Sequence, residues 1–234
     1  MLRRRFLKVA AAIFAAISGI TVFKLVREEA EMVIESEGVV KLPEPRKTGE
    51  ISVEEVINIR RSRRSYSGEL ISIKDISQLC WAAQGITEEA YGFRAAPSAG
   101  ALYPLEIFLV VGNSELDAGI YQYSPSTHRL KLVKKGDHRR VLCEASLGQS
   151  AIEEGALCIV VTAIYERTTR KYGERGIRYV HMEAGHAAQN IYLQAEALGL
   201  GTVSIGAFYD DKVRDVLSVP EEYVPLYVMP VGHR

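Results

Sequence analysis

The sequence predicts an α+β domain. Three observations carry that expectation. Short apolar runs of strand length lie scattered between helical stretches, without the strict strand-helix alternation of a doubly wound sheet. One long helical pattern near the C-terminus carries small residues on one side. The 234 residues, 47% hydrophobic and 25% charged, suffice for one full core and a short appendage, with the balance of a soluble globular chain.

The first 25 residues read as an address. They hold Arg3, Arg4, Arg5, Lys8 and Lys24 and no acid, and Val9 to Phe23 is uncharged, rich in Ala and Ile, and short of the roughly 20 residues of a bilayer span. Arg3-Arg4-Arg5-Phe6-Leu7-Lys8 resembles the twin-arginine export signal, a route that carries proteins already folded around a cofactor. Ala16-Ile17-Ser18 is a poor small-x-small cleavage site, and with Lys24 snorkelling the apolar stretch reaches Val26. Cleaved export signal and retained membrane tether over residues 9–26 both stay open, and either places the domain outside the cytoplasm. Residues 26–50, charged and then marked by Pro43 and Pro45, read as a linker, so the folded domain is expected over 51–234.

Ser52-Val53-Glu54-Glu55 has the form of a capping box and starts a helix that runs into Arg60. A second helix follows from Ser72, with Ile73, Ile76, Leu79, Cys80 and Ala83 on one face and a stop at Gly85. Leu105 to Val111, bounded by Pro104 and Gly112, reads as a buried strand; Gly119 to Ser124 and Arg129 to Val133 flank a Pro-Ser-Thr-His turn as a hairpin does. Leu157 to Ala163 is another buried strand. One long helix spans Ile177 to Leu198 and ends at Gly199, its small residues Ala184, Gly185, Ala187 and Ala188 permitting close packing. Val203 to Ala207 and Tyr223 to Val231 are expected as two late strands.

Removing the five N-terminal cations leaves 24 basic against 29 acidic residues, so the body shows no broad basic face and nucleic acid is not an expected partner. Cys80, Cys143 and Cys158 form no CxxC pair and fit buried free thiols. His181 and His186, five apart, are turned about 140° from each other on a helix and do not share a metal; no metal site is expected.

The chemistry concentrates in four segments. Arg60-Arg61-Ser62-Arg63-Arg64 puts four guanidinium groups and a hydroxyl at a helix end, a donor set suited to phosphate. Pro97-Ser98-Ala99-Gly100-Ala101-Leu102-Tyr103-Pro104 is a small-residue loop able to lie against a flat ring. Gly201 to Phe208 follows the long helix, and Val231-Gly232-His233-Arg234 ends the chain on a cation. In order and spacing these segments resemble the flavin-binding segments of the nitroreductase family, over nearly all of Ile51 to Arg234.

The resemblance implies an FMN-binding homodimer with a central, mostly antiparallel sheet flanked by helices. Carried over by position, Arg60, Arg61, Ser62, Arg64 and Arg234 would hold the phosphate, ribityl chain and pyrimidine edge. Pro97, Ser98, Ala99 and Tyr103 would reach the ring from the second subunit, and Ser204, Ile205, Gly206 and Ala207 would line one side of it. The nitroaromatic-reducing branch typically has glutamate where this chain has Gly206. The loop and the run Arg170-Lys171-Tyr172-Gly173-Glu174-Arg175 resemble instead the SagB-type azoline dehydrogenase branch, which implies a catalytic role for Lys171 and Tyr172. The expected function is FMN-dependent hydride transfer through flavin N5, with oxygen, a quinone, a nitro compound or another electrophile as acceptor, and NAD(P)H as one candidate donor. Azoline dehydrogenation of a modified peptide and a non-catalytic flavin-binding module are the competing expectations.

Overall fold

The computed structural model describes residues 34–36 and 38–234. The expected signal or anchor, and the first part of the linker, lie outside the described residues. Among the described residues no helix is long and apolar enough to cross a membrane.

The strands are β1 (Ile34–Ser36), β2 (Val39–Lys41), β3 (Ile86–Glu88), β4 (Phe93–Arg94), β5 (Leu105–Val111), β6 (Gly119–Ser124), β7 (Arg129–Lys135), β8 (Leu157–Ala163), β9 (Leu200–Thr202) and β10 (Val224–His233). The helices are α1 (Val53–Ile59), α2 (Ile73–Gln84), α3 (Arg139–Ala145), α4 (Ala151–Glu154), α5 (Glu166–Tyr172), α6 (Arg175–Ala197) and α7 (Asp210–Leu217). Eight strands form one sheet in the order β1-β2-β7-β6-β5-β8-β10-β9. Every neighbouring pair in it is antiparallel, as the α+β expectation requires. β3 and β4 make a separate hairpin.

The sheet is buried on both faces, which is why its central strands read as continuous apolar runs rather than alternating ones. In β5, Ile107, Leu109 and Val111 face a core shared with α2 and α6, while Phe108 and Val110 face a second core under α3, α4 and α7. β8 repeats the division, with Ile159 opposite Leu109 and Val161 opposite Ile107. α6 packs through Val180, Ala184, Ala187, Ala188 and Ile191, whose mostly short side chains let its axis lie close to the sheet. It ends where Gly199 turns to φ +75°, a left-handed position that glycine adopts without strain.

Ser52 caps α1 by accepting from the Glu55 amide at 3.1 Å, and Ser72 caps α2 by accepting from the Asp75 amide at 3.1 Å. α2, β5 and β8 occupy the predicted spans, and β7 runs two residues beyond its predicted end.

Two expectations are corrected. From Val39 on, the predicted linker is part of the body: β2 pairs with β7, Val40 and Leu42 are buried, and the Pro43 carbonyl accepts from Ser77 Oγ at 2.5 Å and lies 3.0 Å from His128 Nε2. Two buried apolar side chains, Val40 in β2 between β1 and β7 and Leu42 just after it, bring these residues onto the sheet despite the prolines that follow. Residues 203–207 are not a strand: the strand after α6 is β9, and the later segment touches the sheet only through the Ile205–Val228 bridge. Lys171 and Tyr172 lie in the last turn of α5. α3, α5 and α7 escaped the sequence because none has a side-chain cap at its start and each is only seven or eight residues long.

Candidate active site

The chain from Arg60 to Ser67 leaves α1 in extended form and threads beside the C-terminal strand. The Arg63 amide donates to the Thr202 carbonyl at 2.9 Å, and the Ser67 amide donates to the His233 carbonyl at 2.9 Å. Tyr66 Oη donates to the Arg63 and Pro230 carbonyls. The tight crossing explains Gly232, where a Cβ would come within 2.7 Å of the Tyr66 ring. Two segments almost 170 residues apart in sequence are thereby brought side by side.

Beneath them stands Glu196, whose side chain is 2% exposed. Its Oε2 accepts from Arg234 Nη1 at 2.7 Å, its Oε1 accepts from the Arg61 amide at 3.1 Å, and Arg63 Nε lies 3.6 Å away. Arg61 spends its guanidinium on the Asn58 and Arg60 carbonyls at the end of α1. Arg60 lies over the Tyr192 ring, 5.1 Å from its centroid. Neither Arg60 nor Arg64 forms an ion pair among the described residues.

Tyr192 Oη is the hub of this patch. It accepts from the Ser204 amide at 2.8 Å and lies 3.1 Å from Ser62 Oγ and 3.4 Å from Ser204 Oγ. Burial pushes the phenol up, but the hydrogen bonds of Ser204 and Ser62 and the Arg60 charge outweigh it and hold the group below its ordinary value. Gly206, two residues on, has open space: a Cβ there would meet only Tyr227 Cε1, at 3.9 Å. Gly206 lines a cavity of about 300 Å³ with His181, Phe208, Asp210 and Tyr227, and His181 Nε2 lies 2.6 Å from Tyr165 Oη.

A second patch surrounds the small-residue loop. Ser98 Oγ accepts from the Tyr103 amide at 2.9 Å, and Gly100, Ala101 and Tyr103 all take positive φ. For alanine and tyrosine that conformation is strained, and strain of this kind clusters where a loop is held for a ligand. Tyr103 Oη accepts from the Arg94 amide at 3.1 Å and its ring lies under the Arg94 guanidinium, so this side chain anchors the loop to β4. Lys171 and Tyr172 come to the same place: a Cβ on Gly100 would lie 2.7 Å from Tyr172 Oη and 2.9 Å from Lys171 Nζ. Glu183, 2% exposed, has Ser98 and Arg94 as neighbours; burial pushes its carboxyl up to about 7 against their pull.

A larger cavity, about 730 Å³, lies apart from both patches along Arg46 to Ile51, Gln78, Trp81 and Asn190, and reaches them only at Glu196 and Arg234.

The nitroreductase family model matches residues 57–233. The chain belongs to the nitroreductase family. A Methanocaldococcus jannaschii protein that bears the nitroreductase name is 46% identical over 189 residues, 79% of this chain and 92% of the relative. The FMN reductase (NADPH) of Bacillus subtilis is 27% identical over 187 residues, 78% of this chain and 65% of the reductase. Among solved structures, a Ralstonia eutropha protein named as a nitroreductase superposes with TM-score 0.75 at 27% identity, covering 86% of this chain and 91% of that one. A chain of the Escherichia coli microcin synthetase McbBCD complex with truncated pro-MccB17 bound superposes with TM-score 0.66 at 28% identity, covering 82% and 77%.

For this family member, the structure brings Arg60, Ser62 and Ser204 together around Tyr192, with Arg61, Arg63 and Arg234 around Glu196, in one patch, and Ser98, Gly100 and Tyr103 with Lys171 and Tyr172 in another. Ile205 instead bridges Val228, and the Ala207 carbonyl accepts from Gln149 Nε2. α6 carries both. Glu183 and Tyr192 are nine residues apart, about 13 Å along the helix and about 180° around it, so the patches lie on opposite sides. Sequence reasoning missed Tyr192, Glu196 and Glu183. The signal was present: both glutamates sit among alanines on the packed length of a helix, where an unpaired acid is costly.

Proposed function

We propose that this chain is an FMN-dependent oxidoreductase acting by hydride transfer through flavin N5. The observation that carries the reading is the first patch: a run of guanidinium groups, those of Arg60, Arg61 and Arg64 without an acid partner among the described residues, beside a hub of three hydroxyls and an open Gly206. That donor set fits a phosphate, a polyol chain and a flat ring in sequence. When bound, FMN supplies the two-electron chemistry at N5. Arg60 and Arg64 bind the phosphate, Ser62 and Ser204 orient the polyol, and the bare Gly206 leaves room above the ring. Arg234, fixed by Glu196, adds positive charge where negative charge grows on reduction.

The opposite placement of the two patches on α6 supports a homodimer in which Pro97, Ser98, Ala99 and Tyr103 of each copy serve the flavin of the other. The arginine motif at residues 3–8 supports export or membrane tethering of the assembly.

A second reading has one specific observation in its favour. Lys171 Nζ and Tyr172 Oη converge beside the loop at Gly100, where either could take a carbon-bound proton as hydride leaves. With the likeness to a chain of the McbBCD complex, that supports azoline dehydrogenation of a peptide substrate.

The test is an absorption spectrum of the purified full chain, with the released chromophore identified and counted, followed by reduction of the flavin with NADPH or an azoline peptide as donor and its reoxidation by oxygen, a quinone or a nitroaromatic as acceptor. One FMN per subunit and turnover with an acceptor is the expected result. A protein that neither carries nor binds FMN overturns the proposal, and FMN that is never reoxidised by substrate leaves a binding module instead.

A further inference from the structure

Glu183 is an unusual occupant of the middle of α6. The residue is 2% exposed, and its Oε1 has no hydrogen-bond partner among the described residues. Native folds leave few buried polar atoms in that condition, and those they leave ask for an explanation. Its charged neighbour is Arg94, already committed to Gln84 Oε1 at 2.9 Å and to the Tyr103 ring. Beyond Arg94 stand Glu106 and Arg167, paired with each other at 2.6 Å; from α5, Lys171 and Tyr172 approach the loop at Gly100. The other neighbour is the Ser98 hydroxyl, which accepts from the Tyr103 amide at 2.9 Å.

We propose that Glu183 is a positioning residue whose protonation state sets which way the Ser98 hydroxyl faces, and so whether the loop offers a donor or an acceptor to its ligand. The proposal rests on the reading of Pro97 to Tyr103 as a flavin-facing loop. A serine hydroxyl has one hydrogen and two lone pairs, and the Tyr103 amide takes one lone pair. With Glu183 neutral, the carboxyl hydrogen goes to the second lone pair and the Ser98 hydrogen is free to point outward. With Glu183 ionised, its proton has gone to solvent, the Ser98 hydrogen turns inward to the carboxylate, and only a lone pair faces out. A flavin ring presents carbonyl oxygens on its rim, so it is held better by the first state.

Burial pushes Glu183 up to about 7, so the two states exchange in the neutral range. Raised in this way, the neutral form dominates below that value and is lost as pH rises through it.

The experiment is FMN binding to the full apoprotein, followed by flavin fluorescence from about pH 5.5 to about pH 8.5. The wild-type Kd should rise roughly three- to tenfold across a step centred near 7, the size of one net hydrogen bond. Glu183→Gln keeps a permanent donor to Ser98 and should lose the step while retaining the tight, low-pH Kd. Titration of the FMN phosphate is common to both proteins and cancels in their ratio. Ser98→Ala should also lose the step, at weaker affinity, and serves if the glutamine variant does not fold. A step that survives in either variant, or FMN binding without a step in the wild type, overturns this proposal alone. No FMN binding at any pH overturns it together with the proposed function.

Discussion

Gly100 and Tyr172 leave no room between them: a Cβ on the glycine would stand 2.7 Å from the tyrosine hydroxyl. The glycine also takes φ +65°, so the contact and the backbone conformation both require the absence of a side chain. Gly100→Ala is therefore expected to push Tyr172 and Lys171 away and to destabilise the fold by about 1 kcal/mol or more. Turnover should fall more than FMN occupancy. Chemical denaturation, flavin content and steady-state rates measured together check it; unchanged rates with a destabilised fold would remove Lys171 and Tyr172 from the chemistry.

Arg64 and Arg234 should respond differently to truncation. Arg64→Ala deletes a cation without an ion pair among the described residues, and should weaken FMN binding by roughly 1.5 to 3 kcal/mol with little change in thermal stability. Arg234→Ala also strips Glu196, 2% exposed, of its 2.7 Å partner, leaving Arg63 at 3.6 Å as the remaining cation. That variant should lose folding stability by about 1 to 3 kcal/mol even without ligand. Titration calorimetry and apoprotein melting separate the two effects; equal melting temperatures would contradict the role given to Glu196.

Removing residues 1–50 should destabilise the body. It deletes β2 from the sheet, uncovers the core at Leu42, and leaves Ser77 and His128 without the Pro43 carbonyl. Burial of Val40 and Leu42 alone is worth roughly 3 to 5 kcal/mol. A chain beginning at Val39 should melt well above one beginning at Ile51, and equal melting would refute the assignment of this segment to the fold.

Glu183 should make stability fall with pH. Its folded value, about 7, lies above the ordinary 4.5, so the folded state holds the proton more tightly. The associated stability is fully present below about 4.5 and is lost as pH rises through 7, a loss of roughly 3 kcal/mol. Urea unfolding of the wild type and Glu183→Gln should show the gap between them widening over that window and levelling above it. A constant gap would mean that the carboxyl is not buried as described.

Much of this protein was legible in its sequence because the signals are local. Ser52 and Ser72 announce helix starts through hydroxyls that accept from amides three residues on, seven consecutive buried residues make β8 unmistakable, and Gly199 marks the end of α6. The arginine run, the small-residue loop and the terminal Gly-His-Arg are legible as binding segments through their combined resemblance, in order and spacing, to the nitroreductase family, not by residue type. What the sequence could not decide depends on residues distant in the chain. Val39 to Lys41 became a strand only because β7 offers a partner and Ser77 with His128 a fastening. Residues 203–207 run past the end of β9, which pairs with β10 at Val231 to His233, and meet β10 only at the Ile205–Val228 bridge. Tertiary structure alone set Glu196 under Arg63 and Arg234, and Glu183 beside Ser98 and Arg94. Periodicity and capping act within a few residues, whereas the pairing of a buried charge is settled only when the elements that carry its partners are packed together.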